Sequence, residues 1–123
     1  MHHNLAMYIN NPASYTDYYE LTMAQGYFLS GKYKKTAGFD YFFRKIPFKG
    51  GYVIFAGLNE LINTIKNLNF SDEEIEYLRK EGFQEEFLEY LKTFAIKGNI
   101  YSVKEGEIVF PTESILRVEG NLL

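Results

Sequence analysis

The sequence predicts an α+β domain. Three observations carry that reading. A helix pattern and one aromatic strand open the chain, three helix patterns then follow one another, and from Gly98 the texture changes to short strands. Helices and strands are therefore segregated and not interleaved as repeated βαβ units. At 123 residues the chain is long enough for one core and has little room for a second.

The opening helix runs from Ser14 to Gly31 and concentrates hydroxyl and aromatic groups in its first turn. Asp17 is expected at the N-cap, with Glu20 reaching back to the cap's amide as an acidic variant of the capping box. Gly31 stands where a left-handed residue would stop the helix. Residues 1–13 read as an N-terminal extension, and 14–123 as the domain.

After a charged turn at Lys32–Lys35, Thr36 to Arg44 alternates, with Phe39, Tyr41 and Phe43 on one face and Asp40, Phe42 and Arg44 on the other. That period of two predicts a strand, ended by Pro47 and followed by a turn at Lys49-Gly50-Gly51. Rings on both faces imply cover on both sides. From about Val53 to Leu68, Phe55, Leu58, Leu61, Ile62, Ile65 and Leu68 recur at three and four, which predicts a helix. Ser71-Asp72-Glu73-Glu74 is a capping box opening a helix that ends at Gly82. A further helix spans Phe83 to Phe94, with Phe87, Leu88, Leu91 and Phe94 inward. These two acidic helices are expected to form a lid or outer layer. Strands follow at Asn99–Val103, Ile108–Phe110 and Ser114–Val118, with a turn at Glu105-Gly106 and a stop at Gly120. The apolar ending Gly120-Asn121-Leu122-Leu123 lacks the polar fade of a natural tail, so a continuation is expected.

Eleven Tyr and eleven Phe without Trp indicate a core or interface built on rings, with the tyrosines at its boundaries. Without cysteine, disulfides and thiolate chemistry are excluded. Neither a bilayer-length apolar run nor a signal-peptide layout is present, which makes the cytoplasm the default. His2 and His3, native or tag-derived, are poor catalytic candidates in a frayed terminus. The net charge of −3 hides a segregation: Lys32–Lys49 carries an excess of five positive charges, and Asp72–Lys92 an excess of five negative ones. A basic segment in an acidic protein suggests a local anionic ligand more than nucleic acid, although two solvated faces would look the same.

Four motifs then stand in order: Thr16-Asp17-Tyr18-Tyr19-Glu20-Leu21-Thr22-Met23; Phe42-Phe43-Arg44-Lys45-Ile46-Pro47; Phe55-Ala56-Gly57-Leu58; and Glu105-Gly106-Glu107-Ile108-Val109-Phe110-Pro111, continued by Leu116-Arg117-Val118-Glu119-Gly120. Each alone is weak, but four in register are specific. Together they resemble the N-terminal part of the nicotinate phosphoribosyltransferase family, from Tyr15 onward. The resemblance implies an α/β-hammerhead-type N-terminal domain, shared with quinolinate enzymes, without the C-terminal barrel. A barrel needs roughly 200 residues or more.

It further implies an enzyme that joins nicotinate to phosphoribosyl diphosphate, coupled to ATP hydrolysis, in NAD salvage. The barrel of such an enzyme supplies the phosphate loop, the arginine for the nicotinate carboxylate and the phosphorylated histidine. The chain alone is therefore expected to be inactive and to hold no catalytic residue, metal or ATP. Mg2+ and ATP belong to the full-length enzyme. The domain of one subunit would cover the barrel mouth of another in a homodimer or higher homo-oligomer, with no nucleic-acid or membrane partner.

By motif, Tyr19 corresponds to the ring that stacks on the pyridine and Asp17 to the aspartate beside it. Tyr18 is a second ring at a variable position, and Arg44 matches the arginine that approaches the phosphates. The alternatives are packing of Tyr19 on Met23 one turn on, and a surface arginine in a basic turn. An offset-stacked phenol suits an electron-poor ring, and the guanidinium fork suits phosphate oxygens.

Two other readings compete. Nicotinamide enzymes share the Thr-Asp-Xaa-Tyr helix, although the Phe-Arg-Lys-Xaa-Pro stretch leans to nicotinate. A stand-alone carrier-like module would display a modifiable lysine at a hairpin tip, and Lys104, close to a turn, lacks the apolar flanks such a lysine needs.

Overall fold

The opening helix, α1 (Tyr18–Leu29), lies where its sequence signals put it, with Ser30 as C-cap and Gly31 left-handed at φ 71°. The computed structural model describes residues 13–123, so His2, His3 and all but the last residue of the expected extension lie outside the described residues. Asp17 takes the N-cap position in extended backbone, and its carbonyl accepts the Glu20 N–H at 2.9 Å. Its carboxylate makes no capping hydrogen bond, so the expected acidic capping box does not form. In a capping box each side chain accepts a hydrogen bond from the other residue's backbone N–H, and with two carboxylates that arrangement brings like charges together. Leu21, Ala24 and Phe28, spaced by three and four, turn the inner stripe of α1 to the core.

A single 3-10 turn (Lys32–Lys34) leads to strand β1 (Thr36–Tyr41). The strand stops three residues short of the alternation in the sequence because its pairing ends at Tyr41 opposite Leu116. Phe39, Tyr41 and Phe42 stay exposed, so the expected cover on both faces is not made by the described residues.

The expected helix from Val53 divides in two. Val53–Ile54 form strand β2, Gly57 turns the chain at φ 98°, and helix α2 occupies Leu58–Lys66. The apolar run at 53–55 satisfies its backbone across to residues 106–109 instead: Phe55 donates to the Glu107 carbonyl at 2.9 Å and accepts from Gly106 at 2.8 Å. The Ser71–Glu74 capping box forms as read, opening helix α3 (Asp72–Lys80), and helix α4 (Glu85–Lys92) follows.

These two helices are not an outer layer. Ile75, Leu78, Phe83, Phe87, Leu88 and Leu91 are buried, and with Leu21 they make the main core cluster. Acidic outer faces disguise the inner ones, which carry the apolar stripes. A chain of ring contacts runs through this core. Phe83 stacks on Phe87 at 6.1 Å, Phe28 meets Phe87 at 5.7 Å and Tyr90 at 4.9 Å, and Tyr90 meets Phe94 at 6.1 Å.

Strands β3 (Gly98–Ser102), β4 (Ile108–Val109) and β5 (Leu116–Asn121) complete the domain. One antiparallel sheet has the order β1-β5-β3, and β2 pairs with β4 in a separate antiparallel ribbon. Gly120 does not stop β5. It lies opposite Gly98 and Ala37, so close to the neighbouring main chain that a Cβ on either glycine would run into backbone. The turn at Glu105-Gly106 joins strands of different sheets, so Lys104 does not sit at the tip of a paired hairpin as the carrier reading requires.

Candidate functional site

Asp17, Tyr18 and Tyr19 gather at the N-terminal end of α1, where the first backbone N–H groups of the helix leave a partial positive charge. Their side chains go different ways. The Tyr18 ring meets Phe83 edge-on, centroids 5.8 Å apart at 78°, and so hangs on the core. Tyr19 is 57% exposed and meets no other ring among the described residues. Its candidate packing partner Met23 is also exposed. The phenol's pKa lies above its ordinary value, first because the Glu20 side chain accepts its hydrogen bond, then because Glu20 and Asp17 bring negative charge. Tyr19 therefore presents a neutral, electron-rich ring to solvent.

What fixes this end of the helix lies far along the chain. The Glu74 carboxylate accepts hydrogen bonds from Ser14 N–H at 2.7 Å and Ser14 Oγ at 2.8 Å, while its other oxygen accepts Ser71 N–H at 2.8 Å. Burial alone would raise its pKa, but the hydrogen bonds from Ser71 and Ser14 outweigh it and hold the carboxyl below its ordinary value. The segment entering α1 is thus tied to the start of α3. The sequence shows Glu74 only as half of a capping box, because nothing local marks a partner sixty positions away.

Arg44 lies in the loop beyond strand β1. It follows Phe43, whose carbonyl accepts Thr112 N–H at 2.8 Å, and its side chain is exposed. Among the described residues no hydrogen bond or ion pair joins it to Asp17, Tyr18 or Tyr19. Beyond it, Phe48 and Lys49 both take left-handed backbone at φ 56° and 55°, a costly state for residues other than glycine and one that tends to mark functional loops. Arg117, in contrast, is engaged, reaching Asp40 at 3.0 Å and Glu119 at 2.7 Å across one face of the sheet.

Two further places on the surface could in principle meet a ligand. The N-terminus of α2 is already occupied: Glu105 Oε1 accepts Gly57 N–H at 2.7 Å and Leu58 N–H at 2.6 Å. An open depression of about 440 Å3 runs along α3, lined by Asp72, Glu73, Glu76, Tyr77 and Lys80. Its acidic lining disfavours phosphate, and none of the four expected site residues borders it. Among the described residues, no three histidine, aspartate or glutamate side chains gather to hold a metal ion, and no helix is long and apolar enough to cross a membrane.

Comparison with known proteins places this geometry in a context. The family described as the nicotinate phosphoribosyltransferase (NAPRTase) N-terminal domain matches residues 15–123. The chain is 44% identical over 110 residues to nicotinate phosphoribosyltransferase of Bacillus subtilis, covering 89% of this chain and 22% of that one. It is 43% identical over 107 residues to nicotinate phosphoribosyltransferase 1 of Arabidopsis thaliana, covering 85% and 19%. The crystal structure of human nicotinic acid phosphoribosyltransferase superposes with a TM-score of 0.78 at 30% identity, over 87% of this chain and 22% of that one. The chain thus spans about a fifth of the length of these relatives.

Proposed function

Because this chain belongs to the nicotinate phosphoribosyltransferase N-terminal domain family, we propose that it is the N-terminal part of an enzyme that condenses nicotinate with phosphoribosyl diphosphate to nicotinate mononucleotide. The observation that carries this reading is the family match across residues 15–123, which includes all four motifs and the Asp17, Tyr18, Tyr19 and Arg44 positions. The free ring of Tyr19 supports it from the structural side, since Tyr18 is occupied on Phe83.

In this reading Tyr19 stacks on the pyridine ring and holds its nitrogen in line with the anomeric carbon. As the new C–N bond forms, the bond to the diphosphate oxygen breaks and its electron pair leaves with diphosphate. Arg44 offers a planar fork of N–H donors to that developing charge. Asp17, with its carboxylate unused for capping, is free to accept a hydrogen bond near the substrate.

Arg44 and Tyr19 serve one reaction by facing a barrel mouth, that of a partner subunit in a homodimer or higher homo-oligomer. ATP hydrolysis would drive the coupled reaction in NAD salvage, in the cytoplasm. In this reading Mg2+ and ATP belong to the full-length enzyme, and this domain is assigned no part in holding either.

Two measurements test the proposal. The 123-residue chain mixed with nicotinate, phosphoribosyl diphosphate, Mg2+ and ATP should form no nicotinate mononucleotide. A chimera in which it replaces the matching segment of the Bacillus subtilis relative should form it. Turnover by the chain alone, or none by a folded chimera, would overturn the reading.

A further inference from the structure

Among the described residues three that are not glycine take left-handed backbone, Phe48 at φ 56°, Lys49 at 55° and Thr112 at 66°. All three belong to one place. Phe48 and Lys49 stand midway along the loop between β1 and β2. Thr112 helps to hold the base of that loop, since its N–H donates to the Phe43 carbonyl at 2.8 Å. Strand pairing fixes the base further: Tyr41 lies opposite Leu116 and Val53 opposite Val109, so both ends return to the 109–116 segment. Compact surface loops whose ends meet in this way are frequently functional.

The residue order in the loop runs against the needs of its backbone. Left-handed backbone suits glycine and strains other L-residues. Two glycines follow at once, yet neither has positive φ. Gly50 is at φ −69° and ψ 175°, which any residue adopts, and a Cβ there would come no nearer than 3.5 Å to its neighbours. A Cβ on Gly51 would meet nothing within 4 Å. Glycine thus stands where a side chain would fit, and side chains stand where glycine would fit. A local rule broken at two consecutive positions points to a role for the side chains themselves.

That role is not internal packing. Phe48 is 101% exposed, and Lys49 joins no ion pair among the described residues. From Phe42 to Tyr52 the chain carries Arg44, Lys45 and Lys49 and no acid. The cations suit an anion, and the leaving diphosphate is the one assigned above to Arg44. A phenyl ring among them adds neither charge nor a hydrogen bond. What it adds is an apolar cover.

We propose that Phe48 covers the anomeric carbon of phosphoribosyl diphosphate when Arg44 reaches the phosphates, and so keeps water from the displacement. This assignment rests on the enzyme reading above and on the role given there to Arg44. Two nucleophiles compete for that carbon. Attack by the pyridine nitrogen forms the C–N bond and releases diphosphate. Attack by water breaks the same C–O bond, its electron pair again leaving on diphosphate, and yields ribose 5-phosphate and a proton. Excluding water suppresses the second reaction and spares the first.

The test is the ratio of ribose 5-phosphate to nicotinate mononucleotide formed by the Bacillus subtilis chimera from nicotinate, phosphoribosyl diphosphate, Mg2+ and ATP. Phe48→Ala and Phe48→Gly should raise that ratio about fivefold or more, and change KM for phosphoribosyl diphosphate less than about twofold. Phe48→Tyr keeps a ring and should restore the parent ratio. In the 123-residue chain alone, Phe48→Gly should leave the unfolding midpoint unchanged or raise it, because strain is relieved and no contact is lost.

An unmoved ratio would overturn the proposal; a fall in oligomeric mass beside it would make the ring an interface residue. A midpoint lowered by Phe48→Gly would also overturn it, by showing that the ring packs within the domain. So would binding of the chain to phosphatidylserine vesicles that Phe48→Ala abolishes, which would assign the loop to a lipid surface. A parent chimera that forms no nicotinate mononucleotide would bring down the enzyme reading as well. An active chimera with an unmoved ratio would sink the water-excluding role alone.

Discussion

Glu74 holds Ser14 through both of that residue's donors, backbone N–H and hydroxyl, across sixty positions of chain. The same carboxylate closes the capping box of α3 through Ser71. One side chain therefore starts one helix and anchors the approach to another, and the second of those carries Asp17 and Tyr19. Positioning of the candidate site is thus linked to the stability of the helical core.

Replacing Glu74 should show that link. Glu74→Ala loses both attachments, and because the group is only partly buried, water screening limits the cost to about 1–2 kcal/mol. The pH dependence follows from the direction of the shift. Its folded-state pKa is lowered from 4.5, so the ionised form is favoured by folding. The contribution is fully present above that ordinary value and is lost as pH falls through the lower folded-state value. Thermal unfolding of the parent and Glu74→Gln from pH 7 down to pH 3 should therefore converge at the acid end. Parallel curves would remove Glu74 from the account.

Helix α4 gives a second prediction, because its role in the core differs from the lid expected from its acidic surface. Phe87 is fully buried in the main cluster. Phe87→Ala should cost about 3–5 kcal/mol, enough to threaten folding of so small a domain. Phe87→Leu, which keeps much of the volume, should cost far less and serve as the folded control. A peripheral helix would tolerate both, and urea denaturation separates the cases.

The division between what could be read in the sequence and what could not has a physical pattern. Signals confined to one element survived: Ser71 with Glu74, the left-handed Gly31, and the inward Phe87, Leu88 and Leu91. Failures came where a distant strand decided. Val53 and Ile54 fit a helical stripe equally well until β4 offers them a ladder, and Gly120 looks like a stop until Gly98 is placed opposite it. The lid reading failed because charge on one face of a helix says nothing of what the other face meets. At the candidate site, the sequence offered two adjacent tyrosines and could not say which would pack and which would stay free of other rings. That choice depends on Phe83, which lies beyond α3.

The two tyrosines should therefore part company when each is removed. Tyr18→Ala breaks an edge-to-face contact worth about 0.5–1.5 kcal/mol beyond the area it buries, and should lower stability measurably. Tyr19→Ala removes a ring that meets no other among the described residues, and should change stability by about 0.5 kcal/mol or less. In the chimeric enzyme the order should reverse, with Tyr19→Ala raising the nicotinate KM severalfold and Tyr19→Phe restoring most of it, since the stack needs the ring and not the hydroxyl. Steady-state kinetics beside thermal unfolding decides the assignment. Equal losses in both assays would return Tyr19 to packing.

Arg44 gives the sharpest chemical contrast. Its side chain is exposed and joins no ion pair among the described residues, whereas Arg117 is held by two carboxylates. Arg44→Ala should therefore leave the unfolding midpoint of the 123-residue chain within error. In the chimera it should reduce kcat/KM for phosphoribosyl diphosphate about ten- to a hundredfold, corresponding to one or two charge-assisted hydrogen bonds. Arg44→Lys keeps the charge but not the planar fork, and should recover only part of that loss. Full recovery by lysine would mean that Arg44 acts as a diffuse positive charge within the basic segment. No loss in either variant would place the phosphate contact elsewhere, with Lys45 and Lys49 the next residues to replace.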